Sequence, residues 1–127
     1  MGFLKNIFGS SESKEEKVLP WQELSSTSQL SEIVEKSKTK AQVIFKHSTR
    51  CGISRMAMNQ FVSSYNEDAH LDLYYLDLLN HRDISNEIAS QFQVMHESPQ
   101  LLVVQNGVVV ANGSHGAVND IDLARFE

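Results

Sequence analysis

"SPQLLVVQNGVVVA", residues 98–111, decides how this chain folds. Two apolar, β-rich runs flank Asn106 and Gly107, the dipeptide that a type I′ turn selects because both central residues need positive φ. An antiparallel hairpin is predicted. Pro99 stands just ahead of its first strand, a natural site for a cis peptide, so the Ser98–Pro99 bond is expected to be cis.

Upstream, "HLDLYYLDLL", residues 70–79, alternates well enough for an interior strand, and Ile84, Ile88, Ala89 and Phe92 then recur at helical spacing. Earlier still, "QVIFKH", residues 42–47, is β-rich and largely apolar, as suits a buried central strand. After the polar Ser48, Thr49 and Arg50, the spacing of Met58, Phe61, Val62 and Tyr65 predicts a helix with those four on its core face. In residues 25–38, Ser26 and Gln29 have capping-box spacing ahead of an amphipathic helix whose apolar face is Leu30, Ile33 and Val34. A short helical signal over residues 119–126, anchored by Ile121 and Leu123, closes the chain. Helix, strand, helix, strand, helix, hairpin and helix is a thioredoxin-like α/β order, a central mixed sheet flanked by helices.

The length of 127 residues suits one domain. Residues 9–17, "GSSESKEEK", are polar and charged, so residues 1–17 read as a mobile tail and 18–127 as the domain. Within that tail Phe3, Leu4, Ile7 and Phe8 fall at helical spacing. No apolar run reaches the roughly 18 residues of a membrane span, and the start lacks a long signal core. Gly2 hints at myristoylation, but Asn6 breaks the pattern. A net charge of -5 argues against nucleic-acid binding, and a single cysteine fits a reducing cytoplasm.

That cysteine, Cys51, falls where a strand turns straight into a helix. The first N–H groups of a helix lack intrahelical partners and favour thiolate over thiol, a setting that lowers cysteine pKa values from about 8.5 to roughly 3.5–7.5. Lys46, His47, Arg50 and Arg55 surround it in sequence, one locally basic stretch in an acidic protein, suited to anionic thiols. Ser54, one helical turn on, stands where a second cysteine would resolve a disulfide. Its hydroxyl either donates to the thiolate or is simply an N-terminal helix residue. Without a resolving partner, Cys51 can attack a disulfide and hold a mixed disulfide that another molecule must release. Monothiol exchange follows.

In such a fold the backbone before the cis-proline lies beside the cysteine, so Ser98 is placed to pair with a bound thiol. His47 and His96 either tune the thiolate and contact the small thiol or are structural. His70, His81 and His115 lack metal-site spacing, and no metal or resident cofactor is expected. A peroxidase of the peroxiredoxin type would need proline at Ile44 and threonine at Ser48.

Together "FKHSTRCGIS", residues 45–54, and "HESPQ", residues 96–100, resemble the YtxJ-like monothiol bacilliredoxins, and the resemblance extends over roughly residues 20–115. It implies a thioredoxin-like fold and a cytosolic role in removing bacillithiol, the co-substrate thiol, from bacillithiolated client proteins. Cys51 would be the nucleophile and Pro99 the cis-proline, with Ser48, Thr49, Ile53 and Ser54 also matching the pattern. Taken with the reading of the residues above, Cys51 and Ser54 are the candidate catalytic residues, and Arg50, Gly52, Ser98, Pro99, His47 and His96 the candidate substrate contacts. Gly52 stands where many relatives carry proline, and Gly116 where a bulky aromatic is usual. Gly52 also makes the motif similar to the Cys-Gly-Phe-Ser glutaredoxins, which bridge an iron-sulfur cluster between two subunits, an alternative function for this chain.

Overall fold

The structure, a computed structural model, describes residues 18–127; the expected tail over residues 1–17 lies outside the described residues. Five strands and three α-helices follow in the order β1 (Trp21–Glu23), α1 (Ser28–Lys36), β2 (Ala41–His47), α2 (Gly52–Ser64), β3 (Leu71–Asp77), α3 (Arg82–Phe92), β4 (Gln100–Gln105) and β5 (Val108–Ser114). Two 3₁₀ segments, His115–Asp120 and Leu123–Phe126, end the chain. The sheet order is β1-β3-β2-β4-β5. β1 and β2 run parallel to β3, while β4 is antiparallel to β2 and to β5. This is the thioredoxin-like mixed sheet with helices on both faces.

β2 sits at the centre and every one of its residues is buried. Strand alternation sends Val43 and Phe45 to one face, where they meet Ala57 and Phe61 of α2, Tyr65 just past its end and Val118 of the first 3₁₀ segment. Ile44 goes to the other, packing with Leu30 and Ile33 of α1 and Ile84, Ile88 and Phe92 of α3. A central strand covered on both sides leaves no solvent face, which is why its sequence reads as a nearly continuous apolar run.

The hairpin turn forms as the sequence predicts, with φ of 53° at Asn106 and 79° at Gly107. Their N–H groups, turned away from the ladder, donate to the carbonyl and hydroxyl of Ser37 at 2.8 Å each. At the start of α1, Gln29 Oε1 accepts from the N–H of Ser26 at 3.0 Å, the reach-back half of a capping box. The reciprocal half is altered, since the Ser26 hydroxyl takes the N–H of Ser28 instead.

The structure adds to the expectations at two places and corrects them at a third. β1 went unread because three residues carry no periodicity; it exists by pairing with β3, Trp21 opposite Leu73. α2 turns the expected face to the core, with Phe61 buried, Tyr65 buried just past its end, and Met58 and Val62 packed half-buried against the same cluster; the expectation lacked Ser54 and Ala57, which are buried too. The closing α-helix is instead two 3₁₀ turns, broken where Asp122 caps the second through Ala124 N–H at 3.2 Å. The first turn packs closely: a Cβ on Gly113 would come within 2.6 Å of the Ala117 carbonyl oxygen. Asn119 also donates to the Ala57 carbonyl at 3.2 Å.

Candidate active site around Cys51

β2 ends at His47, and the chain turns through Ser48, Thr49 and Arg50 before Cys51 caps α2 in an extended conformation, φ -105° and ψ 123°. Four hydrogen bonds fix this turn. Cys51 N–H donates to Ser48 O at 3.1 Å, Arg55 N–H to Cys51 O at 3.0 Å, and Leu78 N–H to His47 O at 3.1 Å. Arg55 Nη2 reaches Thr49 O at 3.3 Å. The thiol is free and half-buried at the helix N-cap, beside the N–H groups that have no intrahelical partner.

Ser54 is wholly buried. Its oxygen accepts the Ser48 N–H at 3.0 Å and pairs with His47 Nδ1 at 2.7 Å. The hydroxyl is therefore committed to the strand end and the turn, and it makes no hydrogen bond to the Cys51 sulfur. A serine here latches the nucleophile's turn onto β2.

His47 is buried and stands in register with Asp77, the last residue of β3. Burial lowers its pKa foremost; the Asp77 carboxylate opposes that, and the Arg55 guanidinium adds to it. Asp77 Oδ2 accepts from Asn80 Nδ2 at 2.8 Å, while Oδ1 is buried without a partner. Asp77 and Asn80 escaped the sequence reading because only the parallel register of β2 and β3 brings them to this end of the sheet.

The Ser98–Pro99 peptide is cis. Gln100 pairs with Lys46, so β4 begins beside the end of β2 and the proline adjoins the turn that carries Cys51. Pro99 is buried, and its carbonyl accepts from His115 N–H at 3.0 Å. Ser98 is half-buried, with Oγ enclosed and unpartnered.

His96 is turned elsewhere. Its Nδ1 pairs with Ser85 Oγ on α3 at 2.8 Å, and partial burial, then Lys46 and Arg82, lower its pKa against the pull of Glu97. Lys46 does not join a basic collar around the thiol: alternation along β2 points it to the α1 and α3 face, completely buried, with Nζ unpartnered. Burial lowers its pKa to about 8, with Glu97 opposing. The cations left at the surface near the thiol are Arg50 and Arg55. Gly52 is exposed with open space around its Cα, so no contact demands glycine there. Among the described residues no group of three or more His, Cys, Asp or Glu is placed to hold a metal ion, and no helix is long and apolar enough to cross a membrane.

The chain matches the family model of the monothiol bacilliredoxin BrxC over residues 22–123. Among solved structures it is similar to a thioredoxin-fold protein assigned as an oxidoreductase, with 38% identity and a TM-score of 0.70, over 81% of this chain and 89% of that one. A Fasciola hepatica thioredoxin shares the fold at 17% identity and a TM-score of 0.64, covering 84% of this chain and 99% of its own. A Schistosoma mansoni thioredoxin does so at 20% identity and a TM-score of 0.63, covering 83% and 96%.

Proposed function

The chain belongs to the monothiol bacilliredoxin BrxC family, and on that premise we propose that it removes bacillithiol from cytoplasmic client proteins by thiol-disulfide exchange at Cys51. The observation that carries this reading is a free, half-exposed cysteine at the N-cap of α2, beside a cis-proline, with a buried serine where a resolving thiol would stand. The Cys51 thiolate attacks the bacillithiol sulfur of the client mixed disulfide. A new bond forms between Cys51 and bacillithiol, the old one breaks, and the client sulfur leaves with the electron pair and takes a proton from solvent.

Oxidation level is conserved in this step, so no cofactor is required. Ser54 is fixed by His47 and Ser48 and offers no second sulfur, so the adduct waits for an external thiol. The cis-proline end of β4 provides the edge along which the capped client lies, with Ser98 facing it. His47 supports the turn from behind.

The test is intact-mass spectrometry of reduced protein mixed with a bacillithiol-capped client, beside Cys51→Ala and a glutathione-capped client. Transfer of the bacillithiol mass to Cys51, faster than that of glutathione, is expected. No transfer from either client would refute the proposal.

A further inference from the structure

A polar cavity of about 450 Å³, whose lining reaches to the residue before Cys51, opens between Thr49 and Arg50 of the turn and Leu79 and Asn80 of the β3–α3 loop. We propose that it receives the anionic, carboxylate-bearing end of the small thiol that Cys51 exchanges, an assignment that rests on the exchange reading above. Its volume is in the range of small-ligand sites, about 300–1,000 Å³.

The two walls are held together. Leu78 N–H bonds to His47 O at 3.1 Å, Asn80 N–H to Asp77 O at 3.2 Å, and Arg55 Nη2 ties down Thr49 O at 3.3 Å. Arg50 is exposed, and among the described residues it has neither an ion pair nor a hydrogen bond. A guanidinium with no partner among the described residues, in a protein of net charge -5, can serve as a bidentate donor for a carboxylate. Asn80 uses one amide N–H on Asp77 Oδ2 at 2.8 Å, which leaves its second N–H and its carbonyl for a ligand.

The Asp77 carboxylate beneath Asn80 disfavours an anion, but the three cations Arg50, Arg55 and Arg82, which follow the same ends of β2 and β3, outnumber it. Another cavity near the site, lined by Trp21, Glu23, His47, Met58, Val62 and Tyr75, is largely apolar and carries an acid. It offers a carboxylate nothing. Chain geometry adds direction: in the exchange step the small thiol becomes bonded to Cys51, one residue from Arg50, so its body hangs at the mouth of the polar cavity.

The experiment uses a client capped with either mercaptosuccinate, which carries two carboxylates, or 2-mercaptoethanol, which carries none, and reads the rate of each Cys51 adduct by intact mass. The mercaptosuccinate adduct should form about fivefold faster at low salt, with the ratio shrinking in concentrated salt. Arg50→Gln should bring the ratio close to one, and Asn80→Asp should lower it. Equal rates from the two caps in the wild type, or a ratio untouched by Arg50→Gln, would overturn the cavity assignment and leave exchange standing. No adduct from either cap would overturn the exchange reading and this one with it.

Discussion

Replacing Lys46 by methionine should stabilise the protein, and the structure sets both the size and the pH window of the gain. The side chain is fully buried on the α1 and α3 face, with no partner for Nζ, and burial brings its pKa from the ordinary 10.5 to about 8. At about 1.4 kcal/mol per factor of ten in the proton equilibrium, keeping this amine charged in the fold at neutral pH costs about 3 kcal/mol. Between pH 8 and 10.5 the unfolded chain keeps the lysine proton that the folded one has released, so wild-type stability from this group rises with pH and the penalty is gone above that window.

Methionine keeps the volume and the apolar stem, and it forfeits only the weak attraction to Glu97. Lys46→Met should therefore gain about 2–3 kcal/mol near neutral pH, or on the order of 10 °C in Tm for a domain of this size. Urea denaturation of both proteins across the window is the assay. Tyr65, Tyr74 and Tyr75, with pKa values raised by burial, titrate in both variants and cancel in the difference. A gain below about 1 kcal/mol, or one that stays constant between pH 8 and 10.5, would refute the account of a charged, unpaired amine.

Other outcomes follow from the site. Cys51→Ala should abolish adduct formation while leaving the thermal midpoint nearly unchanged, as calorimetry would show. Ser54→Ala strips partners from both His47 Nδ1 and the Ser48 N–H, so a loss of about 2–4 kcal/mol in urea denaturation is expected, and a midpoint equal to wild type would remove the latch from the argument. Gly52→Pro should stabilise by about 0.5–1 kcal/mol, since the first helical position has no hydrogen bond to lose and Cys51 already has the extended conformation that a following proline requires. On the acid side, His47 and His96 both have pKa values below the ordinary imidazole value, so the unfolded chain takes up their protons first and stability falls as pH drops below about 6.5. His47→Asn should flatten that fall, measured as urea midpoints at neutral and mildly acidic pH.

Much of this architecture is written locally. Asn106-Gly107 fixes a turn by its own backbone preference, and β2 announces a two-sided burial through the unbroken apolar run Val43, Ile44 and Phe45 at its centre. The polar stretch between that strand and the α2 pattern puts Cys51 at a helix start without any tertiary knowledge. What escaped reading depends on pairing. β1 is three residues whose extended form comes from β3, and Ser54, polar by type, is drawn into the buried face of α2 by His47 and the Ser48 amide. The closing segment has few apolar anchors, so contacts with α2 and β5 decide its form over its own weak helical signal.

Lys46 shows how a charge count along the chain misleads at a strand end. Four basic residues within ten positions read as one electropositive stretch, yet a strand separates neighbours to opposite faces. Lys46 thus spends its charge beneath the loop that leads to Pro99, while His47, next in sequence, meets Ser54 on the side of the thiol. The field at Cys51 therefore comes from the N-terminus of α2 with Arg50 and Arg55, and Arg55 is engaged with Thr49 while Arg50 has no partner among the described residues. Substituting it would separate two properties that the sequence ran together: in the proposed exchange, reactivity is assigned to the Cys51 position on the fold, and discrimination among small thiols to the side chain just before it.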